Sequence, residues 1–110
     1  MSNWIEVATV ADTPPGSSSE LVAGDRIIAL FNVDGEYYAL DGVCPHQGGP
    51  LGKGLLNGEI VTCPWHGWQF NVCTGQHQTT QSLCHESFPV KIDAGSVFVD
   101  IGQSTEVTEN

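Results

Sequence analysis

Apolar and polar residues alternate along most of this chain, and turn-forming Gly, Pro and Asp break the alternation into short runs. That pattern predicts strands joined by turns. Residues 4–8 (Trp-Ile-Glu-Val-Ala) read as an opening strand, and residues 12–19, rich in Pro, Gly and Ser, read as a loop. Residues 26–33 and 36–40 flank Asp34-Gly35 and predict a β-hairpin, because both positions of its two-residue turn need positive φ. A second hairpin is predicted from 88–92 and 96–101 around Ala94-Gly95. Pro89 makes its first strand an edge or marks where it starts. Residues 41–81 are of another kind, rich in Gly, Pro, His, Cys and Trp, with short strand candidates at 59–62 and 68–72. No stretch has helical periodicity with caps. The expected fold class is all-β: an antiparallel framework at both ends of the chain carrying an inserted, loop-rich lobe, where the chemistry should lie.

Length and composition narrow this picture. With 110 residues the chain supports one modest core. The expected domain spans 1–101, with the lobe at about 41–81 and a frayed tail at 102–110. No apolar run reaches the ~20 residues of a membrane span. The N-terminus lacks the basic and then apolar stretch of a secretory signal, so a cytoplasmic location is expected. Thirteen Asp and Glu oppose three Lys and Arg, a net charge of −10. Such a surface repels nucleic acid and anionic membrane, and neither is expected as a partner. It serves solubility, or steers the protein toward a basic docking site.

Cys44-Pro45-His46 and Cys63-Pro64-Trp65-His66 are the sharpest features. Sixteen residues separate His46 from Cys63. Two loops can thus present one thiolate and one imidazole each to a common point. Pro45 and Pro64 restrict the loops before any ligand binds, and Gly48, Gly49, Gly52 and Gly67 permit tight turns and close backbone approach. Two Cys and two His also satisfy tetrahedral Zn²⁺. Zinc fingers usually pair like with like and place the histidines on a helix, whereas each half here is mixed and sits in a loop. Mixed halves suit a two-iron cluster, which sorts its ligands into a thiolate pair and an imidazole pair.

The stretches C-P-H-Q-G-G-P-L (44–51) and C-P-W-H-G-W-Q-F (63–70) resemble the Rieske [2Fe–2S] domain, and the flanking hairpins resemble that family's framework over about residues 3–101. The resemblance implies one [2Fe–2S] cluster, with Cys44 and Cys63 on one iron and His46 and His66 on the outer iron. Two neutral imidazoles in place of two thiolates leave the oxidised cluster formally neutral, which raises its potential into a range of roughly −150 to +300 mV. The respiratory and photosynthetic branch adds a disulfide and two hydroxyl donors near the cluster. The corresponding positions here, Gly49, Trp65, Trp68 and Phe70, supply none of these. A potential at the low end is therefore expected.

The same resemblance, to the ferredoxin component of multicomponent aromatic-ring hydroxylases, implies a soluble one-electron carrier and not an enzyme in itself. Its partners would be a ferredoxin reductase and a terminal oxygenase. The alternative is a small Rieske-fold subunit of an NAD(P)H nitrite reductase, paired with a large reductase subunit; a structural zinc module is the third reading. Among the remaining residues, Trp65 and Trp68 are expected to shield the cluster, with Trp65 a candidate docking aromatic. Cys73 and Cys84 are expected to be structural thiols, with a disulfide or redox role as the rival reading. His77, His85 and Lys53 are expected at the surface. No nucleophile–base set, phosphate loop, dinucleotide fingerprint or mononuclear iron motif is visible.

Overall fold

The computed structural model describes residues 3–24, 26–42, 50–64, 67–76, 78 and 86–102. These form ten strands and two single turns of 3₁₀ helix, an all-β architecture as the alternation predicts. The strands are β1 (Trp4–Thr9), β2 (Ser18–Ala23), β3 (Arg26–Val33), β4 (Glu36–Asp41), β5 (Leu55–Asn57), β6 (Ile60–Thr62), β7 (Gln69–Asn71), β8 (Ser87–Phe88), β9 (Val90–Asp93) and β10 (Ser96–Asp100). They assemble into three antiparallel sheets, ordered β1-β10-β9, β2-β3-β4-β8 and β5-β6-β7.

Both predicted hairpins form. Asp34 and Gly35 adopt φ of 55° and 97°, and Ala94 and Gly95 adopt 53° and 82°, as two-residue turns between right-twisted strands require. Asn32 fastens the first turn, its carboxamide oxygen accepting from the Gly35 N–H at 2.8 Å.

Three expectations need correction. Residues 18–23 continue past the predicted loop as β2, paired along its length with β3. Leu55–Asn57 is a strand that the pattern leaves unmarked, because three residues are too few to show a period. Residues 88–92 are not one strand. Pro89 lies between β8, which pairs with β4, and β9, which pairs with β10, so the chain changes sheets there. Proline cannot donate to a ladder, but its carbonyl still accepts from the Asp100 N–H at 3.0 Å. Of the predicted tail at 102–110, Gly102 is described, its N–H donating to Asp100 Oδ1 at 2.9 Å, and residues 103–110 lie outside the described residues.

The middle of β3 is buried on both faces, and its period of two divides it between two cores. Ile28 and Leu30 face one core with Ala39, Phe88, Val97 and Val99, which joins the central sheet to β1-β10-β9 as a sandwich. Ala29 and Phe31 face the other with Leu40, Leu51, Val61, Cys63, Phe70 and Val72, which joins it to the lobe. The lobe enters after β4 and returns at β8. Its two ends meet where the Asp41 N–H donates to the Glu86 carbonyl at 2.9 Å. Arg26 braces this junction, with Nη2 at 3.4 Å from Asp41 Oδ2 and 2.8 Å from Glu86 Oε1.

Candidate metal centre

The second ligand loop grows directly from β6. Strand pairing with β5 and β7 places Val61 in the core, and the chain then delivers Cys63 into the same apolar cluster, buried to 1% exposure. The Cys63 N–H donates to the Trp68 carbonyl at 2.7 Å, closing a turn over residues 63–68. Gly67 sits in that turn with φ of 73°, a conformation glycine adopts without penalty. Pro64 and Gly67 are exposed while Cys63 is not, so the turn joins a buried sulfur to the surface within a few residues.

The first loop is closed in the same manner. The Leu51 N–H donates to the Gly42 carbonyl at 2.9 Å, and the Gly42 N–H donates to the Ile27 carbonyl at 2.8 Å. Leu51 then anchors in the core beside Cys63. The 3₁₀ turn Leu51–Lys53 docks on β2, where Ser18 Oγ donates to the Gly52 carbonyl at 2.7 Å. A Cβ on Gly52 would lie 2.6 Å from the Ser19 carbonyl oxygen and 2.8 Å from Glu20 Cα, so only glycine fits. A Cβ on Gly54 would run into the Thr62 carbonyl, one residue before Cys63. The roots of the two loops are therefore clamped to each other and to β2.

Of the four predicted ligands, the structure describes Cys63; Cys44, His46 and His66 lie outside the described residues, as do Trp65, His77, Cys84 and His85. Among the described residues no three His, Cys, Asp or Glu side chains converge on a point. What is present fits an iron–sulfur centre: a soft sulfur donor, desolvated in an apolar wall, on a turn stiffened by proline and a backbone hydrogen bond. Trp68 packs half-buried against that wall, its ring centroid 6.4 Å from that of Phe70. Phe70 is fully buried. Lys53 is exposed, as expected.

Cys73 is a half-buried thiol packed against the same core. Burial pushes its pKa up, with Glu59 and Glu36 adding to the shift, and a hydrogen bond from Tyr38 opposes it. The Tyr38 hydroxyl is in turn held well above its ordinary pKa by Cys73 and then by Glu36, whose Oε1 accepts from it at 3.0 Å. Sequence reasoning missed Ser18 and the tight fit of Gly52. The sequence pattern marks Gly52 for a tight turn and close backbone approach to a ligand, whereas the backbone it approaches is that of β2, distant in sequence.

Residues 3–89 match the Rieske [2Fe–2S] domain family, and the chain belongs to that family. An iron–sulfur cluster is the cofactor that goes with it. The chain is 37% identical over 92 residues to the ferredoxin component of the naphthalene 1,2-dioxygenase/salicylate 5-hydroxylase systems of Ralstonia sp., covering 83% of this chain and 88% of that protein. It is also similar to a chain in the complex of reduced oxygenase and oxidised ferredoxin of carbazole 1,9a-dioxygenase, with a TM-score of 0.80 and 31% identity over 88% of this chain and 92% of that one. A chain provisionally assigned as the small subunit of an NADPH nitrite reductase superposes with a TM-score of 0.75 at 21% identity, covering 88% of this chain and 97% of that one. That likeness is one of fold alone.

Proposed function

We propose that this protein is a one-electron carrier of a multicomponent oxygenase system, taking an electron from a reductase and passing it to a terminal oxygenase. The observation that carries the reading is the likeness to an oxygenase-system ferredoxin over most of both chains. Residues 1–101 form the electron-carrying domain. Among the described residues no helix is long and apolar enough to cross a membrane, and we place the protein in the cytoplasm.

In this reading Cys44 and Cys63 hold one iron and His46 and His66 the other. When bound, the cluster would supply a one-electron redox centre. The rest is done by the chain. Burial of Cys63 excludes water from its sulfur, and the bonds at the two loop roots tie down the described ends of both ligand loops, which limits reorganisation when the charge changes. Among the described residues, the Cys63 N–H is engaged by the Trp68 carbonyl and Phe70 brings a ring without a hydroxyl, so neither donates to added negative charge. That keeps the expected potential low. The nitrite reductase alternative has only a shared fold in its favour.

The test begins with anaerobic purification, visible spectroscopy, EPR and potentiometry. The chemically reduced protein is then mixed in stopped flow with terminal oxygenases, including those of naphthalene 1,2-dioxygenase, carbazole 1,9a-dioxygenase and its own genome. Reoxidation by an oxygenase, with a rhombic EPR signal and a low potential, is the expected result. A protein that reduces ferricyanide but no oxygenase would sink the reading.

A further inference from the structure

Asn57 and Gly58 form the one Asn-Gly pair in the chain. They stand at the tip of the β5–β6 hairpin, where Asn57 ends β5 opposite Ile60 and Gly58 takes the first turn position with φ of 64°. Glycine is favoured there because a side chain at that φ is strained. The same choice removes protection from the asparagine before it: glycine has no side chain to keep its own backbone nitrogen away from the neighbouring carboxamide.

The surroundings of the pair leave that encounter open. Asn57, Gly58 and Glu59 are all exposed. A Cβ built on Gly58 would meet nothing within 4 Å, so there is room for a ring and for water to reach it. Among the described residues, neither the Asn57 carboxamide nor the Gly58 N–H makes a hydrogen bond. Asn32 and Asn71 are held instead. Asn32 is buried, its carboxamide donating to the Thr13 carbonyl and accepting from the Gly35 N–H. Asn71 accepts from the Cys73 and Thr74 N–H groups and donates to Glu59. The residues that follow Asn3, Asn32 and Asn71 are Trp4, Val33 and Val72, each bulky where Gly58 carries only hydrogen.

We propose that Asn57 deamidates spontaneously through attack by the Gly58 nitrogen, and that the product limits how long the lobe holds its cluster. The Gly58 nitrogen bonds to Cγ of Asn57, the Cγ–Nδ2 bond breaks, and the amide proton leaves with Nδ2 as ammonia. Water then opens the resulting five-membered imide at one carbonyl or the other, giving an aspartyl or an isoaspartyl residue at position 57. No oxidant or cofactor enters. Either product adds a negative charge beside Glu59. The isoaspartyl form also routes the main chain through the former side chain, lengthening it by one carbon. In a strand of three residues that extra atom falls at the Asn57–Ile60 pair, which closes the hairpin. Its partner β6 is the strand that delivers Cys63, so the disturbance reaches the cluster; this half rests on the ligand assignment above. Ring closure requires Asn57 to leave its extended conformation, so the rate measures how often the hairpin opens.

The experiment incubates the cluster-loaded protein anaerobically in mildly alkaline buffer. Peptide mass spectrometry should find a gain of about 1 Da at Asn57 before any at Asn3, Asn32 or Asn71. The gain should come faster as pH rises, because the attacking nitrogen must lose its proton, and about tenfold faster in urea, where the hairpin is open. Asn57→Gln should stay unconverted over the same period. Anion exchange then isolates the isoaspartyl fraction. With an Fe²⁺ chelator present, that fraction should lose its visible absorbance about fivefold faster than the parent, the effect of one lost backbone hydrogen bond. Asn57→Asp, with the same charge and an ordinary backbone, should keep the parent's rate. No conversion at Asn57, or earlier conversion at Asn3, Asn32 or Asn71, overturns the proposal. An isoaspartyl fraction as durable as the parent overturns its second half. A colourless protein overturns the ligand assignment and that half with it, whereas failure to reduce any oxygenase overturns the carrier reading and touches neither half.

Discussion

The framework and the lobe are held together by different means. The sandwich of the β1-β10-β9 and central sheets relies on long ladders and branched apolar side chains, with Ile28, Leu30, Val97 and Val99 interdigitating between sheets. The lobe has strands of three residues and turns, and draws its rigidity from backbone hydrogen bonds, glycines packed without clearance, and the second core it shares with β3 and β4. One region can lose a methyl group and still pair its strands. The other has little regular structure to fall back on. A site built on loops is thus as well positioned as its fastening to the framework, and here that fastening is Cys63, Leu51, Phe70 and the Ser18–Gly52 contact.

The contrast can be broken most sharply at Cys63. Cys63→Ser should abolish the visible chromophore and the reduced EPR signal, while circular dichroism keeps its β-character because the sandwich core does not involve this residue. Phe70→Ala comes next, opening a cavity at the shared core at a cost of about 3–5 kcal/mol in chemical denaturation. It should also accelerate cluster loss, which truncation of Val97 in the other core should not. Gly52→Ala forces the first loop off β2 and should cost about 1–3 kcal/mol, with a measurable change in reduction potential as the loop root shifts. Arg26→Ala removes a partly exposed ion-pair cluster and a guanidinium 4.9 Å from the Phe88 ring centre. Solvent screening holds that loss to about 1 kcal/mol or less, and the EPR signal should be unaltered. The smallest effect is at Cys73. Because burial raises its pKa, alkylation should be slow at neutral pH and quicken only in alkali. Tyr38→Phe removes the hydrogen bond that lowers that pKa, so alkylation at a given pH should become slower still.

What could be read from the sequence follows the same division. Asp34-Gly35 and Ala94-Gly95 announce their hairpins because turn chemistry is local. The C-x-H and C-x-x-H spacings announce an iron–sulfur site because ligand chemistry restricts which residues can serve. Strand β2 was hidden because Ser18 and Ser19 read as the end of a loop, and only pairing with β3 gives them strand geometry. The change of sheet at Pro89 was hidden because either side of it looks like one strand, and the choice of partner is tertiary. Gly52 reads as a tight turn with close backbone approach to a ligand, although what it approaches is a strand more than thirty positions earlier in the chain. Short-range chemistry was legible, and long-range fit was not.

The hydrogen bond between Asp41 and Glu86 has a consequence for how such a molecule can be remodelled. Since the lobe leaves and rejoins the sandwich at neighbouring backbone positions, a graft of different length would cost little in loop closure, which grows only with the logarithm of chain length. Excision is another matter. Cutting the lobe away would strip cover from Ala29, Phe31 and Leu40 and turn an interior face into a sticky exterior. The insert is therefore exchangeable but not dispensable: any replacement must bring its own apolar underside to the same plot of sheet, whatever metal it carries on top.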